Sequence, residues 1–301
     1  MFDILTRAGC FIAIIILGYV LRKVNFFKEG DFAVLSKITL KITLPCAFIA
    51  NFAGKEIDAS MLFISLLAFA AGVLYIILGY IMNMKSGKEK QAFEVLNLAG
   101  YNIGNFTLPF VQSFLGPVGV ITTSLFDVGN AFICLGGAFG VASSIKGEGG
   151  FSVKRIFKAL SKSVAFLTCI IMVTFALLGI SIPAPIVSFA ELVGGANAFM
   201  AMLMIGVGFK LSGERSQIGS IVRILSVRYG VALILAFAFY HLPLEYEARV
   251  ALMVLAFSPI ASAIPAFTEE LKGDVGLSSA INSISILCSI VFIVSILMIM
   301  L

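Results

Sequence analysis

The sequence predicts an all-α polytopic membrane protein of ten transmembrane helices. They are expected to form two inverted five-helix repeats, with helices 4 and 9 broken at corresponding places. Three observations predict this. Hydrophobic residues make up 60% of the 301 and charged residues only 12%, with a mean hydropathy of +1.09; soluble domains have about 45–50% apolar and about 25% charged residues. Basic residues alternate between successive loops. Two apolar segments, one in each half, carry helix-breaking residues at corresponding places.

Stretches of about 20 apolar residues cross the hydrocarbon core. Ten such stretches run over 4–21, 32–53, 60–84, 92–114, 117–145, 156–180, 184–209, 217–240, 248–271 and 275–300. The first does not read as a cleaved signal: Asp3 and Arg7 lead it, while Arg22, Lys23 and Lys28 follow, the reverse of a signal peptide's polarity.

The loops support the count. Basic residues follow span 1 (Arg22, Lys23, Lys28), span 3 (Lys85, Lys88, Lys90) and span 5 (Lys146, Lys154, Arg155, Lys158, Lys162). They also follow span 7 (Lys210, Arg215, Arg223) and span 9 (Lys272), whereas the even-span loops hold only Lys55 and Arg249. By the positive-inside rule the odd-span loops are cytoplasmic, which puts both termini outside. The glycine-rich 147–155 is the cytoplasmic connecting loop, between a first repeat (1–146) and a second (156–301). An odd number of spans per half forces the halves into opposite orientations. They share a short signature: Leu108-Pro109-Phe110 leads to Leu115-Gly116-Pro117-Val118-Gly119, and Ile264-Pro265-Ala266 leads to Leu271-Lys272-Gly273-Asp274-Val275-Gly276.

Composition also excludes some functions. The net charge of +5 comes from residues expected in cytoplasmic loops, so nucleic acid is not an expected partner. Cys10, Cys46, Cys134, Cys169 and Cys288 lie in apolar spans with no paired spacing, so neither a disulfide framework nor a metal site is expected. The single histidine, His241, cannot make a His-based site alone. No Walker-type phosphate loop occurs, and no catalytic constellation points to an enzyme. No cofactor is expected beyond a coupling Na+ or H+.

The candidate site lies at the two breaks. Span 4 contains Leu98-Ala-Gly-Tyr-Asn-Ile-Gly-Asn-Phe-Thr-Leu-Pro109, and span 9 contains Phe257-Ser-Pro-Ile-Ala-Ser-Ala-Ile-Pro265. Broken backbone at membrane depth is tolerated only where protein, water or ligand satisfies it. Pro109 and Pro265 suit the first turns of new half-helices, and Pro259 adds a second interruption in span 9. The positive ends of two such half-helices, meeting near the midplane, would seat an anion. Asn102, Asn105, Thr107, Ser258 and Ser262 would add side-chain contacts. A pair of proline kinks satisfied by neighbouring helices is the alternative.

Asp127 lies well inside span 5, where an unpaired carboxylate costs about 3 kcal/mol or more. Thr123, Asp127 and Asn130 share a helical face by their spacing. The group reads either as a proton- or cation-coupling site or as a structural carboxylate. Lys41 in span 2 either faces the anion, pairs with Asp127 or Glu191, or snorkels, as Lys37 is expected to do. Glu191 is expected in a solvated position near the outer interface. Of Glu269 and Glu270, one is a candidate cation ligand and the other is expected to face water. Asp274 reads as the N-cap of span 10.

The chain resembles the auxin efflux carrier family, which includes bacterial malate-permease-like transporters. The resemblance is carried by Leu17-Gly18-Tyr19-Val20-Leu21-Arg22, Leu35-Ser36-Lys37 through Leu44-Pro45, Asn102-Ile103-Gly104-Asn105-Phe106-Thr107-Leu108-Pro109, and the Pro259/Pro265 segment leading to Glu269 and Gly273-Asp274. It implies that the broken helices 4 and 9 are crossover helices that cross at their breaks, and a scaffold of helices 1, 2, 6 and 7 beside a transport domain of helices 3–5 and 8–10. It also implies elevator-type alternating access, an organic anion substrate such as a carboxylate, efflux, a bacterial cell-membrane location and the option of a homodimer. The long central hydrophilic loop of plant members is missing. The bile-acid:sodium symporter family is similar in fold, and a sodium-coupled symporter is the alternative, with Asn105, Asp127, Asn130 and Glu269 or Glu270 as ligands. A transporter-like membrane receptor is a further alternative.

Overall fold

The computed structural model describes residues 2–28, 30–55, 57–147, 150–209 and 217–301, with side chains from residue 4. The side chain of Asp3, residues 148–149 of the central loop, and Lys210 and Arg215 of the basic loops lie outside the described residues. The described residues form helices and no strand. Seven helical stretches are long and apolar enough to cross a membrane, or eight if one bent pair is counted as a span. The two other predicted stretches, 92–114 and 248–271, are each two short helices around a break.

Helix α1 (Phe2–Lys23) buries Ile4, Ala8, Phe11 and Ile15 while exposing Leu5, Ile12 and Ile16. This is one packed stripe and one apolar face of the kind that meets lipid. The second stretch has three pieces: α2 (Asp31–Ile38), a π-helical turn (Thr39–Thr43) and α3 (Leu44–Phe52). The π turn has a local cause. A proline ring clashes with the carbonyl four residues back and has no N–H to donate. Before Pro45 the bonding slips by one residue, with the Leu44 N–H donating to the Thr39 carbonyl.

Next come α4 (Phe63–Met82), α5 (Lys88–Leu98) and α6 (Leu108–Phe114). Helices α7 (Pro117–Phe132) and α8 (Ala138–Lys146) are joined by a π turn over Ile133–Gly137. In the second half α9 (Val153–Leu160) and α10 (Val164–Leu178) meet at 78°. This corrects the continuous span expected over 156–180. Ser163 ends the continuity: its hydroxyl accepts from the Phe166 N–H at 3.3 Å, so a new helix starts there. Helix α9 is amphipathic, burying Ile156 and Leu160 while Lys154, Arg155 and Lys158 are exposed. An apolar average over the window conceals both features.

The remaining helices are α11 (Ala184–Gly195), α12 (Asn197–Gly208), α13 (Ile218–Tyr240), α14 (Tyr246–Ala256), α15 (Ile264–Glu270) and α16 (Val275–Met300). The Asp274 carboxylate caps α16 by accepting from the Leu277 N–H at 2.8 Å, as its sequence position suggests.

Two packing groups emerge. Helix α1 lies along α12, and α3 lies along α10 and α11. Separately, α4 packs on α5 and α7, α5 on α8, and α14 on α7, α13 and α16. Small residues permit close crossings: a Cβ on Gly206 of α12 would fall on the Ile15 carbonyl of α1. Backbone approach of this kind suits helix pairs in lipid. Gly206→Leu is therefore expected to lower the melting temperature in detergent by about 5 °C or more. Gly219→Leu, whose new side chain would begin in open space, should leave it unchanged. Equal melting temperatures would contradict the close crossing.

Candidate functional site at the crossing of two broken helices

The first break begins where α5 ends at Leu98. Ala99 is extended, and Gly100 has φ +79°, a left-handed conformation suited to glycine. A Cβ at Gly100 would also come within 2.7 Å of the Cys134 sulfur. Helical structure resumes at Ile103 with a π turn, not at Pro109 as expected from sequence. The reason is the one found before Pro45: the Leu108 N–H donates to the Ile103 carbonyl, and the Thr107 N–H to the Asn102 carbonyl at 3.2 Å. The widened turn accommodates Pro109, so the half-helix starts six residues earlier. The second break runs from Phe257 to Ala263, and Pro265 sits in the first turn of α15 as anticipated.

The two breaks touch. The Asn102 N–H donates to the Pro259 carbonyl at 2.9 Å. The Thr107 hydroxyl donates to Ser258 Oγ at 2.6 Å, and the Asn105 amide to Ser262 Oγ at 3.4 Å. All five polar residues selected from the two breaks thus meet in one place. Each break is braced by an asparagine on the following long helix. Asn130 Nδ2 donates to the Tyr101 carbonyl at 2.9 Å while its Oδ1 accepts from the Tyr101 N–H at 3.0 Å. Asn282 Nδ2 donates to the carbonyls of Ile260 and Ala261 at 3.0 and 3.3 Å.

Arg228 on α13 is the residue that sequence reasoning passed over. It is 1% exposed. Its guanidinium donates to the carbonyls of Leu98 (2.5 Å) and Gly100 (2.9 Å) from the first break. It also donates to those of Ser258 (2.9 Å) and Pro259 (3.2 Å) from the second. The rings of Tyr75 and Tyr101 flank it at 5.2 and 5.1 Å. Its signal in the sequence was its position, the eleventh residue of a 23-residue apolar helix; a charge at such depth marks a site by default.

Two cavities, of about 400 and 390 Å³, flank the crossing and share Asn102 and Ser262. The first is lined by Lys41, Asn105, Asp127, Asn130 and Lys162. The second is lined by Arg22, Pro265, Glu269 and Asn282. Both lie between the two packing groups. Asp127 is half-buried, and its Oδ1 accepts from Asn130 Nδ2 at 3.0 Å. Lys41 is exposed to the first cavity and makes no ion pair with Asp127 or Glu191 among the described residues. Asn105 Oδ1 is buried without a partner.

Several predicted residues stand elsewhere. Thr107, Pro109 and Ser258 are buried behind the cavities and build the crossing itself. Thr123 is fully buried, with an unpartnered hydroxyl, and lines neither cavity. Glu270 is held by Arg155 of α9 through contacts of 2.9 and 2.8 Å. Glu191 is exposed, away from both cavities.

Asn130→Ala would leave the buried Tyr101 N–H and C=O without their side-chain partner. The expected loss is about 2–6 kcal/mol at about 1–3 kcal/mol per group, measured by denaturant titration in micelles. An unchanged midpoint would show that Asn130 does not brace the break.

Residues 10–148 match the profile of a family described as membrane transport protein. The match covers the helices before the central loop. No curated protein matches the chain.

Proposed function

Because residues 10–148 belong to the membrane transport protein family that includes the auxin efflux carriers, we propose that this membrane transporter moves small organic anions, carboxylates foremost, by elevator-type alternating access. The observation that carries the reading is the pair of cavities meeting at the crossing of two broken helices. Discontinuous helices at membrane depth form transporter sites because their unpaired backbone and side-chain groups can face a ligand.

The ten-helix inverted repeat is part of this proposal, with α5–α6 as broken span 4 and α14–α15 as broken span 9. Packing supports it in pairs. The contact of α1 with α12 joins spans 1 and 7, and that of α10 with α3 joins their counterparts, spans 6 and 2. The contact of α4 with α7 joins spans 3 and 5, and that of α13 with α16 joins spans 8 and 10. Spans 1, 2, 6 and 7 form the static scaffold; spans 3–5 and 8–10 carry the crossing.

Both cavities reach helix ends near basic loops, through Lys162 in one and Arg22 in the other. With those loops cytoplasmic, the site faces inward, where an exported anion would load. Lys41 and the Asn105 amide contact the anion, while Asp127 takes up a proton or cation and couples it to movement. A half-buried carboxylate beside an anion site favours loading in its neutralised state, because like charges in a low-dielectric site repel.

The test is reconstitution in liposomes with labelled mono- and dicarboxylates under imposed proton, sodium and voltage gradients. Saturable anion flux is expected, and Lys41→Gln or Asn105→Ala should cut it by about tenfold or more, the loss expected for one hydrogen bond to a charged ligand. Asp127→Asn should abolish gradient-driven accumulation and leave anion exchange. Absence of flux under every gradient would overturn the reading, and binding without flux would favour a receptor.

A further inference from the structure

Arg228 has an unusual set of partners. Four carbonyl oxygens, two from each break, lie within 2.5–3.2 Å of its guanidinium nitrogens. Among the described residues no carboxylate pairs with it. Both carbonyl pairs lie at the C-terminal ends of half-helices, α5 and α14, where freed carbonyls concentrate negative partial charge. Oxygen atoms grouped in this way are the donor set of a hard cation. The flanking Tyr75 and Tyr101 rings present faces that attract a cation. Tyr75 also fixes α13 in place, because its hydroxyl donates to the Arg228 carbonyl at 2.9 Å.

We propose that Arg228 is the resident cation of the crossing. Its guanidinium, tethered to α13, fills the carbonyl cluster that a soluble sodium or potassium ion would otherwise fill. The charge of a guanidinium is permanent, and its planar fork can reach several acceptors at once. The two broken helices are therefore held together with no alkali cation bound between them. A corollary, which rests on the transporter reading, is that ion coupling is left to Asp127 and bypasses the crossing. Arg228 acts as a positioning residue: it touches the backbone of the site and lines neither cavity.

Thermal unfolding of the purified full-length protein in detergent tests this without a transport substrate. In an Asp127→Asn background, which removes the coupling carboxylate, the melting temperature should be the same in sodium, potassium and choline chloride at equal ionic strength. Arg228→Ala should lower the wild-type value by about 5 °C or more, as expected when buried acceptors lose a charged partner. Millimolar methylguanidinium should raise the variant's value saturably and leave the wild type unmoved, while choline restores nothing. Arg228→Lys, which keeps the charge, should fall between the wild type and the alanine variant. If the alanine variant does not fold, the lysine variant and the Asp127→Asn salt series carry the test. An Asp127→Asn protein stabilised by sodium over choline would overturn the proposal, because no coupling carboxylate is left to hold the ion. So would an alanine variant as stable as the wild type, a methylguanidinium response equal in both, or a lysine variant no better than alanine. Loss of the transporter reading would leave these results intact, and their failure would leave anion flux to be judged separately.

Discussion

A carbonyl freed from a helix inside a bilayer must find a donor, and this structure depends on how that demand is met. Two apolar segments stop being helical midway. The carbonyls they release at Leu98, Gly100, Ser258 and Pro259 converge on Arg228. Unpaired, each would cost several kcal/mol in hydrocarbon. Arg228 in turn would be costly at that depth without acceptors. Neither the breaks nor the buried arginine is tolerable alone: the four carbonyls accept from its two terminal nitrogens, while its Nε makes no hydrogen bond. The remaining bonds, from Asn130, Asn282, Thr107 and the Asn102 N–H, complete the crossing and fix its geometry.

With the crossing fixed, the cavities follow from what surrounds it. Long helices α7 and α16 brace one break each, and helices of the other packing group stand opposite across the cavities. Charged networks tie down the helix ends away from the crossing. Glu94, 2% exposed in side chain, pairs with Arg223 and accepts from Asn83. Lys146 pairs with Glu89 at 2.9 Å and donates to the Leu271 carbonyl at 2.5 Å. Near the start of α7, Glu247 of α14 accepts from the Gly119 N–H at 2.7 Å. These contacts join members of one packing group to each other. Arg155 is different: from α9 it reaches Glu270 and covers the Phe139 ring at 3.8 Å.

Much of this was legible in the sequence, and the exceptions have physical reasons. Hydropathy and loop charge placed the helical stretches, and Gly/Pro/Asn content marked both breaks. The prolines of the two breaks rule out continuous helices there, which is why their polar residues group together in the sequence reading; in the fold they touch at the crossing. The start of the first half-helix was misplaced because a π turn shifts hydrogen bonding by one residue, a change that sequence periodicity does not reveal. The bend before α10 was missed because a capping serine was averaged into an apolar window. Arg228 was visible as a charge in an apolar span, but its role depends on carbonyls 128 and 130 residues away in sequence. Glu270 was drawn toward a coupling role by proximity to the break, whereas α9 supplies it with an arginine partner.

The two broken helices cross in direct contact. Cross-linking measures this most directly. In a chain whose natural cysteines are replaced, Thr107→Cys and Ser258→Cys would stand where two oxygens are 2.6 Å apart, well within the reach of a disulfide. Rapid bridging is expected under mild oxidant in the membrane, with neither single variant forming the linked species. Two thiols that both remain free and reactive in the folded protein would contradict it.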